Sequence, residues 1–270
     1  MSKRFDEATR LEARGNGRFE IMIDQADYWG IVTPHGGYLM ALMIAAMDLA
    51  VDDPARRPRS LVQHFLGRVA PGRVVIDVSI ERSTRAVTSV SARMRSGVDT
   101  VGLATALYTS DRDGPEFLDE PAPPVAVASQ ADEALPTFIA PVHAWFDFHR
   151  RFGSDGAVVP VEDGGWVVSR ETGPWDHRLA LLVSDLWIPP IIRHPDRVAA
   201  TPSLHHVVHF GPDVVGDGTE KFLVRHRLTH GGRGLSDEDI ALWTDDGRLL
   251  LRGRQLRMVV APESLNIEPR

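Results

Sequence analysis

Residues 35–37 read His-Gly-Gly and lead into YLMALMIAAM, a run of good helix formers. Glycines at a helix N-terminus let a ligand approach backbone N–H groups that the helix leaves unpaired, a setting suited to an oxygen gaining negative charge. The alternative for His35, Gly36 and Gly37 is a tight turn packed under Tyr38. Asp185 stands at the flank of a helical stripe formed by Leu179, Leu182, Val183 and Leu186, where it is either a base at a pocket mouth or a solvated acid. In the last turn of a helix, the negative dipole end should disfavour its ionised form and raise its basicity. Gln255 shares strand parity with Leu249, Leu251 and Gly253, so its amide should point to an apolar face. There it must find partners: a water, a substrate carbonyl or a backbone group. Ser203 opens a strand, where its hydroxyl can hold a water or shape a turn. Spacing alone does not join these residues into one site.

Other chemistries are excluded more firmly. The chain has no cysteine, which removes disulfides, thiolate metal sites and a cysteine nucleophile together. It has 11 histidines, and His205 and His209 share a strand face, but there is no third carboxylate ligand near them and no HExxH pattern. No metal and no cofactor are therefore expected. His-Gly-Gly also occurs in α/β-hydrolases, yet the chain has no Gly-x-Ser-x-Gly nucleophile elbow. A net charge of −7 gives no excess of positive charge for phosphates, so nucleic acid is not an expected partner. The N-terminus is charged and no apolar run approaches the roughly 18 residues of a membrane span. The expectation is a cytoplasmic protein with no membrane partner.

The elements that must position these residues come in two similar series. Residues 18–32 read as first strands, and 35–50 as a helix apolar on nearly every side, which must be covered all round. Val74, Ile76, Val78 and Ile80 then alternate with polar neighbours, as do Val90, Ala92 and Met94, the period of antiparallel strands with one buried face. Residues 111–141, rich in Pro, Ala and acid, read as a linker. The order then repeats: strands over 143–152 and 165–171, a helix over 176–187 with Asp176 as N-cap, and a second block of strands. TDDGR at 244–248 gives an Asp-Gly hairpin signal. SLVQHF at 60–65 and SLHHVVHF at 203–210 open the two strand blocks with nearly the same words, more than half the chain apart. The pattern predicts an α+β fold with an internal duplication: repeats over 1–110 and 142–270.

The motifs HGGYLMALMIAAM, SLVQHFLGRVAPGRVVIDV, SDLWIPP, SLHHVVHF and LWTDDGRLLLRGRQLRMV, in that order, resemble the acyl-CoA thioesterase II family over almost the whole chain. The resemblance implies a double hotdog: two tandem repeats, each with a long central helix wrapped by an antiparallel β-sheet. It implies hydrolysis of acyl-CoA by a water held between Asp185, Ser203 and Gln255, with the 35–37 region polarising the carbonyl. Thr201, two residues before Ser203, offers a second hydroxyl. His205 and His206 stand where many relatives carry an acid. Family resemblance also implies a homo-oligomer. Two alternatives stay open, a non-catalytic acyl-binding protein and a hotdog dehydratase or hydratase using an Asp/His pair.

Overall fold

The computed structural model describes residues 3–26, 28–115, 121–123, 140–152, 161–171, 173–193, 196–212, 214 and 221–265. Among the described residues three α-helices, α1 (Lys3–Ala8), α2 (Gly36–Val51) and α3 (His177–Ser184), accompany twelve strands. The first half contributes β1 (Glu12–Gly15), β2 (Arg18–Ile23), β3 (Arg56–Phe65), β4 (Gly72–Ser83), β5 (Thr88–Ser96) and β6 (Asp99–Ser110). The second contributes β7 (Phe146–Phe152), β8 (Glu162–Ser169), β9 (Ser203–Phe210), β10 (Lys221–Gly232), β11 (Leu235–Thr244) and β12 (Leu249–Met258). They form one sheet in the order β1-β2-β4-β5-β6-β3-β9-β12-β11-β10-β8-β7, with every neighbouring pair antiparallel.

The two strands with the shared wording are the seam of this sheet. β3 and β9 pair antiparallel, with Leu61 opposite Val208, Val62 opposite Val207 and Gln63 opposite His206. The echo therefore joins the halves edge to edge, and each half covers the sheet edge the other would otherwise expose. Alternation places Val74, Ile76 and Val78 of β4, and Val90, Ala92 and Met94 of β5, in the core, but Ile80, expected on the same buried face, is exposed. A smaller cluster of Trp166, Leu223, Ala241 and Trp243 packs with Ala122 and Leu249. Apart from 111–115, 121–123 and 140–141, the expected linker lies outside the described residues.

Helix α2 is buried from Gly37 to Met47, as a helix without a polar face requires. Helix α3 departs from expectation: it has eight residues and does not reach Pro189. The chain tightens at its end, with Asp185 N–H donating to Leu182 O and Leu186 N–H to Val183 O, both at 3.2 Å. Ser184 Oγ donates to Leu181 O at 2.8 Å, and His226 Nε2 lies 3.1 Å from Ser184 O. All four terminal carbonyls of α3 thus have partners without another helical turn. Residues 28–32 also depart from the expected strand, because Gly30 N–H bonds Thr33 O at 2.8 Å and closes a tight loop.

The helices meet head to tail across the seam. A methyl group on Gly37 would lie 2.8 Å from both Cα and O of Leu182 and 2.9 Å from Leu181 O, so only glycine allows this approach. At the opposite end, Asp48 of α2 accepts from Tyr108 Oη at 2.8 Å and faces His177 Nε2 at 2.7 Å. Gly37→Ala should push the helices apart and cost about 1–3 kcal/mol, as over-packing does. Chemical unfolding should show a lower midpoint at unchanged slope; an unchanged midpoint would disprove the close contact.

Candidate active site

The approach of α2 and α3 brings together residues far apart in the sequence. Asp185 caps the C-terminus of α3, and its side chain is 5% exposed. Its Oδ2 accepts from Gly37 N–H at 2.9 Å, and its Oδ1 accepts from Gln255 Nε2 at 2.9 Å and from an Arg257 Nη2 at 3.1 Å. Ser203 Oγ accepts from the same Gln255 Nε2 at 2.7 Å and from Arg257 Nη1 at 3.2 Å. Arg257 Nη2 also donates to Gln255 Oε1 at 2.7 Å. The three side chains proposed from sequence therefore form one hydrogen-bonded cluster, against the first turn of α2. Ser203 supplies the hydroxyl in this cluster, while Thr201 contributes a carbonyl oxygen that accepts from Arg257 at 3.4 Å.

Two expectations need correction. The Asp185 carboxyl is not made more basic by the helix end. Burial alone would raise its pKa, but His35, Arg257, His206 and the Gln255 amide together hold it well below the usual carboxylate range. Because His35 and His206 are pushed towards their neutral forms by burial, the guanidinium of Arg257 is the dependable part of this stabilisation. Gly37 N–H is also not free to meet a ligand, since it donates to Asp185 and lies 3.3 Å from His35 Nδ1. Among the described residues Gly36 N–H has no partner, and a methyl on Gly36 would lie 2.6 Å from Asp185 Oδ2.

The histidines divide by strand parity. His206 points inward beside Gln63 and Gln255 and is fully buried, with no hydrogen-bond partner for either ring nitrogen among the described residues. His205 lies on the other face, where its ring centre is 4.7 Å from that of His64, with the two rings tilted by 31°. His143, ahead of β7, faces Leu186 O with Nε2 at 3.0 Å and meets the His35 ring edge-on. Burial pushes both His206 and His143 down to about 4, the latter helped by His35. No group of three metal-ligating side chains occurs among the described residues.

Sequence reading missed Arg257 and the pair Asp48–His177. Arg257 lies two residues beyond Gln255 and so shares its strand face, a signal that parity carried but charge obscured. The Asp48–His177 pair stands where a twofold relation between the halves would place a second site. That end is closed: Asp48 is held by Tyr108 and His177, and Asp176 accepts from the Arg178 and Leu179 N–H groups that begin α3. The Asp185 end brings the Gly36 N–H, which has no partner among the described residues, together with the Ser203 hydroxyl and the Gln255 amide.

The same architecture occurs in solved structures. A protein of unknown function with a hot dog fold from Alicyclobacillus acidocaldarius aligns with TM-score 0.86 at 24% identity, covering 97% of this chain and 100% of that one. A protein described provisionally as a thioesterase II from Thermobifida fusca aligns with TM-score 0.80 at 22% identity, over 96% of this chain and 98% of that one. An acyl-CoA thioesterase II from Mycobacterium marinum gives 0.76 at 16% identity, over 98% and 100%. At these identities the likeness shows the fold, which is the hotdog. The family follows from the sequence models: an acyl-CoA thioesterase N-terminal domain matches residues 25–109, and an acyl-CoA thioesterase C-terminal domain matches 115–259. The chain belongs to the acyl-CoA thioesterase family. No curated protein matches it. Among the described residues no helix is long and apolar enough to cross a membrane.

The buried rings set an acid limit on stability. An unfolded chain protonates histidine near 6.5, whereas His143 and His206 stay neutral in the fold down to about 4, so the unfolded state binds more protons in that window. Stability should fall on acidification from 6.5 to about 4, by up to roughly 3 kcal/mol per ring, and Asp185 should add a further loss below the usual carboxylate range. His177 works the other way. Burial would lower its pKa, but Asp48 outweighs this, so its contribution is full below 6.5 and is lost as pH rises through its raised value. Denaturant midpoints across this range check the balance; stability that rises on acidification from 6.5 would contradict it.

Proposed function

We propose that the protein is an acyl-CoA thioesterase that hydrolyses acyl-CoA to a carboxylic acid and CoA by direct attack of water. The observation that carries this reading is the convergence of Asp185, Gln255 and Ser203 on the N-terminus of α2. Asp185 already accepts three hydrogen bonds, leaving about one of the four lone-pair directions of a carboxylate for a water. Ser203 Oγ accepts two, so its own proton is available to the oxygen of that water. The water, oriented by both, attacks the thioester carbon while Asp185 takes its proton. The oxyanion forms beside Gly36 N–H and the positive end of α2, and its collapse expels the CoA thiolate, which takes the proton from Asp185 and restores the carboxylate. The reading carries with it two hotdog repeats, 1–110 and 142–270, joined by 111–141. Family resemblance adds a homo-oligomer.

A second reading draws on the closed state of the cluster. Gln255 and Arg257 bond directly to Asp185 and Ser203, and a strongly stabilised carboxylate is a weak base, which suits an acyl-binding protein that does not turn over. Release of free CoA separates the two. A thiol reagent can follow it without background, because the chain has no cysteine. Across acyl-CoAs from acetyl to palmitoyl and aromatic examples, the wild type should release CoA. Asp185→Ala should lower kcat by about 10²- to 10⁴-fold, and Gln255→Ala by about 10²-fold. Variants that fold and keep the wild-type rate would remove these residues from the mechanism; a wild type silent on every substrate would leave the binding reading.

A further inference from the structure

Behind Asp185 lies a buried loop of charge that the hydrolytic reading does not require. Arg257 Nε lies 3.5 Å from Glu238 Oε2, Glu238 Oε2 lies 3.3 Å from His226 Nδ1, and His226 Nε2 lies 3.1 Å from Ser184 O. Ser184 precedes Asp185, and Asp185 returns to Arg257, so the loop closes on itself. Its members come from α3, β10, β11 and β12. Side-chain exposure is 7% for Arg257 and 0% for Glu238 and His226, so each charge depends on the others. Both nitrogens of His226 face acceptors, a carboxylate oxygen of Glu238 and the backbone carbonyl of Ser184. Burial would raise the Glu238 pKa, but Arg257 and His226 outweigh it and keep this carboxyl below its usual value.

We propose that Arg257, Glu238 and His226 are positioning residues of the proposed hydrolytic site: through Arg257 they pair with the Asp185 carboxylate and fix the Gln255 amide with Nε2 towards Asp185 and Ser203. The orientation follows from one contact. Arg257 donates to Gln255 Oε1 at 2.7 Å, and a flipped amide would set two donors against each other there. Glu238 faces the guanidinium as an ion pair that makes no hydrogen bond to Nε, and His226 lies between Glu238 and the carbonyl before Asp185. The other titratable groups facing Asp185 are His35 at the start of α2, His206 of β9 and, more distantly, His143. All three are pushed towards the neutral form by burial, which leaves Arg257 as the cation that the loop supplies.

The inference rests on the hydrolytic reading for its kinetic part, and a test with two readouts separates them. The first readout is the Asp185 carboxyl titration by carbon NMR in aspartate-labelled protein, assigned with Asp185→Asn. The second is kcat and KM for CoA release. In the wild type, Asp185 should stay ionised below the range of ordinary carboxylates. In Arg257→Met its titration should rise by about one to three pH units, and kcat should fall about 10²-fold with KM little changed. Arg257→Lys keeps the charge but loses the fork, so Asp185 should stay ionised while kcat still falls about 10-fold. Glu238→Gln, which removes less charge, serves if Arg257→Met does not fold, and should lower kcat with a smaller shift. A silent wild type would defeat the hydrolytic reading, while the Asp185 titration would still decide the positioning role. Wild-type titration in the folded Arg257→Met or Glu238→Gln variant would overturn the proposal.

Discussion

One hydrogen bond organises the molecule: the N–H of Gly37, at the start of one helix, donates to the carboxylate of Asp185, at the end of the other, at 2.9 Å. A carboxylate at the C-terminus of its own helix is disfavoured by that dipole, and here the positive end of α2 faces it instead. The arrangement is possible only because glycine lets the backbones of α2 and α3 approach within van der Waals contact. The sheet must then hold two helices head to tail. It does so by joining β3 to β9, so that each half provides one end of the contact.

The two ends at which the helices join differ. A twofold relation between halves gives two helix-end junctions, each with an acid from one helix facing the start of the other. At one junction Asp185 meets a turn whose Gly37 N–H is shared between Asp185 and the His35 ring, while Gly36 N–H has no partner among the described residues. At the other, Asp48 meets a turn already capped by Asp176, and Tyr108 and His177 occupy the acid. The two junctions thus differ in which side chains hold the acid and the start of the facing helix, and not in the order of the helices.

Much of this was legible in the sequence because it depends on periodicity and order. Alternation in β4 and β5, the all-round apolar helix, the hairpin at 244–248 and the echoed strands required no tertiary knowledge. The end of α3 was not legible, since His226, from a strand 42 residues away, satisfies a terminal carbonyl that local reasoning would give to another helical turn. The environment of Asp185 was misjudged for the same reason. Its donors lie 148, 70 and 72 residues away, so only the local dipole was visible and its sign led the wrong way. Glu238 sits between Asp237 and Asp239 in an acidic run that reads as solvent-facing. Only the phase of β11 turns Glu238 into the core while Asp237 pairs outward with Arg254. Family resemblance located Asp185, Ser203 and Gln255, and the geometry adds Arg257, which binds all three.

The central claim is that Asp185, held by three donors, orients a water and does not itself attack the thioester. A single turnover in ¹⁸O-labelled water, with enzyme in excess over acyl-CoA, tests this directly. Direct attack predicts that the released acid carries the label from the first turnover and that peptides containing Asp185 carry none. Unlabelled acid in the first turnover, with label recovered in the Asp185 carboxylate, would show a covalent acyl-aspartate and contradict the account.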